Sequence, residues 1–207
     1  MFLTRSGFKK LINSACKGTG LYVSNTEGGY QIFGDTFNMW IKWGEIPKES
    51  LGDLVSLVGE RPEPGEALCA RKQDIQHEME ETFPPLATDL FETAGIAMEP
   101  TRALLVSSTY IRLFQNNQPH GGTIPVDERL YNLISGMAVD TKHGEETPVG
   151  PMVRETGPGL FDKEVGACWK NNIMAISLRF GDTSQVEDVL NVLKNTRIPR
   201  TFEEARR

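Results

Sequence analysis

Nothing in the chain approaches the roughly 18 consecutive apolar residues of a membrane span. The opening stretch, Met1-Phe2-Leu3-Thr4-Arg5-Ser6, reaches a charge before an apolar run of signal length forms. Cysteine and histidine are scarce, at three each. An odd number of widely spaced thiols, Cys16, Cys69 and Cys168, excludes a fully paired disulfide framework and favours a reducing, cytosolic compartment. Basic residues are outnumbered: 22 Lys and Arg stand against 28 Asp and Glu, for a formal net charge of −6. That balance disfavours attraction to phosphate backbones and anionic lipid, so neither nucleic acid nor membrane is the expected partner. The local basic groups, Lys9, Lys10 and Lys17 near the start and Arg197, Arg200, Arg206 and Arg207 near the end, read as solvated surface.

The phosphate-binding and hydrolase signatures are absent too. There is no G-x-x-x-x-G-K-[ST] and no G-x-S-x-G, and Gly18-Thr19-Gly20 lacks the third glycine of a dinucleotide fingerprint. On a helix His77 and Glu81 would share a face at i, i+4, but a zincin needs a second histidine where Glu81 stands, and two ligands do not make a metal site. His143 beside Glu145 and Glu146 is a weaker grouping still. No cofactor and no metal are expected.

What is present is globular: 39% hydrophobic and 24% charged residues in a chain of 207, enough for one buried core and a single domain over 1–207. Phe8, Leu11, Ile12 and Ala15 recur at helical spacing between Thr4 or Ser6 as N-cap and Gly18. Residues 21–24 and 30–33 flank a polar, glycine-ended connection that suits a hairpin, and 37–43 alternates as a third strand. That alternation puts Phe37, Met39, Ile41 and Trp43 on one face and Asn38, Trp40 and Lys42 on the other. Ile46-Pro47 opens a helix through Leu54 and Val58 to Gly59. Beyond a proline-rich break, helix formers predict a helix over 66–81, a short one near 87–94, and a helix over 100–116 in competition with strand. A turn at 119–122 precedes a helix opened by Ile124-Pro125, residues 140–172 read as a long irregular loop, 173–180 as a strand, and Ser184 with Glu187 as the capping box of a last helix. Two short echoes, Phe33-Gly34-Asp35-Thr36 with Phe180-Gly181-Asp182-Thr183 and Ile46-Pro47 with Ile124-Pro125, reuse common strand-exit and helix-start chemistry.

Two constellations carry chemistry. Gly166-Ala167-Cys168-Trp169 is similar to the end of the signature around the nucleophile of papain-like proteases, over four residues and with Val165 in place of the first cysteine. All three histidines precede Cys168, which excludes that family's order. The reverse order resembles that of caspases, and His120 lies 48 residues before Cys168, near the spacing of about 50 of that family. A Cys168/His120 pair is thus the catalytic alternative. The second constellation is Trp40 with Lys42: on a strand covered on one side only, the tryptophan would be exposed beside Lys42 and Asn38, the composition of an interface hot spot, whereas on a two-sided core strand it would pack under helices.

The expectation is an α+β fold, with a small, mainly antiparallel sheet of three to five strands flanked by six or seven helices. Function is expected to be that of a cytosolic, non-enzymatic binding or regulatory protein acting on a protein partner, similar in profile to bacterial or phage accessory proteins of inhibitor or immunity type. The alternatives are a hydrolase, using Cys168/His120 or a metal at a carboxylate and histidine cluster, and a structural component of a larger assembly, for which homo-oligomerisation is one route.

Overall fold

The computed structural model describes residues 1–72, 74–77, 86, 88–92, 95–116, 122–135, 139–157, 160–193 and 196–199. Helix α1 spans Arg5–Lys17, strands β1 Leu21–Thr26, β2 Gly29–Phe33 and β3 Phe37–Lys42, helix α2 Lys48–Val58, and strands β4 Ala67–Arg71 and β5 Asp74–His77. The chain continues through β6 Ile96–Ala97, β7 Glu99–Val106, β8 Tyr110–Gln115, β9 Thr123–Asp127 and helix α3 Glu128–Ser135. It ends with β10 Val149–Val153, β11 Glu155–Gly157, β12 Leu160–Phe161, β13 Ala167–Lys170, β14 Met174–Leu178 and helix α4 Glu187–Leu193. Two compact units result: Met1–Leu86 with Leu133–Val149 and Trp169–Ser177, and Ala87–Asn132 with Gly150–Cys168 and Leu178–Arg207.

In the first unit the local signals do what their chemistry requires. The Thr4 hydroxyl accepts from the Gly7 N–H at 3.1 Å, capping α1, and the stripe Phe8, Leu11, Ile12 and Ala15 is buried. Gly59 closes α2 at φ +88°, donating to the Val55 carbonyl. Glu27 and Gly28 form the two-residue loop between β1 and β2, whose register runs from Thr26↔Gly29 to Tyr22↔Phe33. Strands β5, β4, β1, β2, β3 and β14 are neighbours in that order. Leu21, Val23, Ile32, Phe37, Met39, Ile41, Leu68 and Ala70 are fully buried, and by register they share the face on which α1 and α2 meet β1 and β4. Gly34 is required at the exit of β2, because a Cβ there would sit 2.5 Å from that of Ala15 on α1.

Polar side chains tie the irregular stretches to this unit. The buried Asn171 amide accepts from the Ile173 and Met174 N–H groups and donates to Glu145 and to the Glu146 carbonyl. Glu145 also accepts from the Asp140 N–H and pairs with the α-amino group of Met1 at 3.0 Å.

The second unit holds the antiparallel sheet β7-β8-β9 and the pair β10–β6, in which Met152 faces Ala97 and Val153 faces Ile96. Ile111 and Leu113 of β8 pack with Leu190 of α4 and with Ile198, against Ala103, Leu105, Val186 and Leu193. Arg112 is held bidentately by Glu128 at 2.6 and 2.7 Å and donates to the Thr101 carbonyl. Gln115 donates to the Thr196 carbonyl and accepts from the Ile198 N–H, fastening 196–199 to β8.

The expected architecture is overturned. Among the described residues there are four α-helices against fourteen strands, so the chain is mostly sheet, and the first unit alone exceeds a sheet of three to five strands. Instead of a helix over 66–81 there is the hairpin β4–β5, as far as the described residues extend; Leu68, Cys69 and Ala70 are buried in succession, which removes the alternation that marks a strand. Residues 100–116 carry the hairpin β7–β8; every second residue of β7 is exposed, but Leu104 and Val106 occupy exposed positions and hide that period. Near 87–94 the described residues form a 3-10 turn, Thr88–Phe91. Ile124-Pro125 lies inside β9, and α3 begins only at Glu128. The stretch 140–172 carries β10 to β13, strands too short and too rich in glycine and proline to show a period. The turn expected at 119–122 lies outside the described residues save for Gly122.

Candidate functional site

The other face of the first sheet follows from the same register. Across β4, β1, β2 and β3 it carries Ala67, Cys69 and Arg71, then Tyr22, Ser24 and Thr26, then Gly29, Gln31 and Phe33, then Asn38, Trp40 and Lys42. No carboxylate stands at any of these positions, in a chain with 28 acidic residues. Burial is graded across it: Cys69 and Tyr22 are buried, Phe33, Gln31, Asn38 and Trp40 half-buried, and Lys42 exposed.

Neighbouring side chains on this face hold one another. The Tyr22 and Phe33 rings stack at 4.6 Å with their planes 11° apart. Arg71 donates to the Tyr22 hydroxyl at 3.0 Å, and that hydrogen bond, with the charge interactions of Tyr22 and Cys69, raises the guanidinium above its ordinary value. The Gln31 amide donates to Asn38 Oδ1 at 3.0 Å, joining β2 to β3. Trp40 lies over the hairpin glycines: a Cβ on Gly29 would fall 2.6 Å from Cε2 and 2.7 Å from Nε1 of the indole. The loop sequence that sets the register therefore also clears the seat for the tryptophan.

Trp43 departs from its expected place. The strand ends at Lys42, so alternation stops one residue short of it. Trp43 is 44% exposed, with its indole N–H donating to Asn25 Oδ1 at 2.9 Å and its backbone N–H to the Gly28 carbonyl. Asn25, buried, also donates to the Pro62 carbonyl. Trp40 and Trp43 thus flank the β1–β2 loop, and the second was missed because the end of β3 has no marker in sequence.

Of the residues singled out from sequence, Trp40 and Lys42 fall on one face at i, i+2, as alternation requires. Cys168 is fully buried and clusters with Leu90, against Phe91, Met152 and Val165. His120 lies outside the described residues. His77 stands at the end of β5, where no helical i, i+4 geometry exists, and Glu81 lies outside the described residues. His143 is exposed, its Nδ1 2.6 Å from Asp140 Oδ2, and that hydrogen bond heads the causes that hold the Asp140 carboxyl below its usual range. Among the described residues no three His, Cys, Asp or Glu side chains converge as a metal site would require, and no helix is long and apolar enough to cross a membrane. No protein-family model, no curated protein and no solved structure matches the chain.

Proposed function

We propose that this protein is a non-enzymatic binding protein of the cytosol that docks an acidic surface of a partner protein on the outer face of its first sheet. The observation that carries the reading is the seating of Trp40 on Gly28 and Gly29, with Lys42 beside it and no carboxylate on four adjacent strands. A tryptophan held in place loses little freedom on binding, and large aromatics with cations dominate the energetics of protein interfaces. With Asp74 of β5 opposite Arg71 at one edge, Lys42 beside Trp40 is the cation that favours an acidic partner at the other. Three thiols that form no disulfide suit a reducing compartment.

A single-stranded nucleic acid is the weaker occupant. Base platforms offer ring faces to successive bases and line a groove with cations. Here the Tyr22 and Phe33 rings are stacked on each other, and Lys42 and Arg71 are the only cations on the four strands.

The test is quantitative co-purification from the native source, with wild-type protein and the variants Lys42→Glu and Trp40→Ala compared in the same experiment. Lys42 is exposed, so its reversal leaves the fold intact. The expected outcome is a partner whose recovery falls at least about tenfold in both variants, about 1.4 kcal/mol or more, and is unchanged by nuclease. Recovery equal in all three proteins, or lost on nuclease treatment, contradicts the reading.

A further inference from the structure

The second unit carries a cleft of about 240 Å³, built between β9, β12, the segment after β14, and α4. Its lining divides by chemistry. Ile124 and Leu190 are buried, and with Phe161 and Phe180 they make it apolar within. Lys163, Arg179 and Glu187 are exposed around it, and none of the three side chains has an ion-pair or hydrogen-bond partner among the described residues. Thr123 also lines it, only 5% exposed.

The apolar lining and the charges around it ask for one kind of occupant. Two cations without carboxylate partners are placed to hold an anion, and Arg presents the fork that matches a carboxylate. With Glu187 the lining sums to a single positive charge, which suits a monoanion better than a doubly charged phosphate. Apolar walls add the requirement for a hydrocarbon or aromatic body. The volume exceeds the ~150 Å³ that accepts benzene and lies just below the range of drug-sized pockets, which limits the body to about ten heavy atoms.

We infer that this cleft binds a small organic monocarboxylate with an apolar body, its carboxylate held by Arg179 and Lys163. The site lies wholly within the second unit and is independent of the docking face on the first.

The test titrates 3-phenylpropanoate into the full chain while following the methyl resonances of Ile124 and Leu190. 3-Phenylpropan-1-ol and 3-phenylpropan-1-amine serve as neutral and cationic matches of the same body. Saturable shifts are expected with a Kd of roughly 1 mM or below, in line with the efficiency of so small a ligand. The alcohol and the amine should bind at least about tenfold more weakly, and Arg179→Glu should weaken the carboxylate by at least about the same factor. Both Arg179 and Lys163 are exposed, so the reversals Arg179→Glu and Lys163→Glu test recognition without disturbing the core. Absence of saturable shifts, equal binding of the three probes, or indifference to both reversals would overturn the inference.

Discussion

The pair α1–α2 in the first unit and the corner between β8 and α3 in the second are both stitched by arginine and carboxylate, yet in different solvents. Arg5 and Lys9 of α1 reach Asp53 of α2 at 2.8 Å each, and Arg5 also reaches Glu49 at 2.6 Å. Arg5, Lys9 and Glu49 are more than half exposed. Arg112 and Glu128 are only 25% and 17% exposed, their contact is bidentate, and the third arm of the guanidinium ends on a backbone carbonyl. Water competes for every member of the first network except Asp53, which is 11% exposed, and less for either member of the second. The same chemistry therefore orients helices in one place and bears stability in the other.

The largest expected effect follows from breaking the second network. Arg112→Ala leaves the Glu128 carboxylate and the Thr101 carbonyl short of donors in a half-buried site, and should cost about 2–3 kcal/mol in a urea melt. Arg5→Ala, at a side chain more than half exposed, should cost less than half as much. Equal losses at the two sites would erase the distinction drawn between them.

Next in size is Gln115, the other polar tie of β8. Gln115→Ala removes both hydrogen bonds to 196–199 and should cost about 1–2 kcal/mol. Amide exchange sharpens the result: the Ile198 N–H should lose protection while that of Leu54 on α2 keeps it.

Smallest is the pH response of the exposed network. Hydrogen bonds from Arg5 and then Lys9 lower the Asp53 carboxyl to about 2, against the opposing effect of its own burial. A folded-state value below the unfolded one of roughly 3.9 makes Asp53 stabilising above that pH, with the contribution lost as pH falls through about 2. The midpoint difference between wild type and Asp53→Asn should be constant from neutrality to about pH 5 and shrink below about pH 4. A difference that changes near neutrality would assign the pairing to another group.

The same contrast of surroundings explains what could be read along the chain. Residues 1–59 carry their structure locally: Thr4 caps a one-sided apolar stripe, Glu27-Gly28 is a short turn, and Gly59 sits where a helix must stop. Sheet formation from 66 onward depends on partners distant in sequence, so Ala67–Arg71 and Glu99–Val106, rich in helix formers, take strand geometry that no local period announces. The proposed docking face was half visible. Trp40 and Lys42 follow from alternation in one strand, whereas Tyr22, Gln31, Phe33 and Arg71 join them through register across four. The cleft in the second unit had no signal at all, because Thr123, Lys163, Arg179 and Glu187 meet only in the folded chain.

The docking face is tested most directly by a photo-crosslinker placed at Asn38, next to Trp40 on that face, with one at the exposed Ser56 of α2 as the comparison. Illumination in the native source should give a protein adduct from position 38, none from 56, and a loss of the adduct when Lys42→Glu is added. An adduct from 56 alone, or one from 38 that is indifferent to the charge at 42, would place the partner elsewhere.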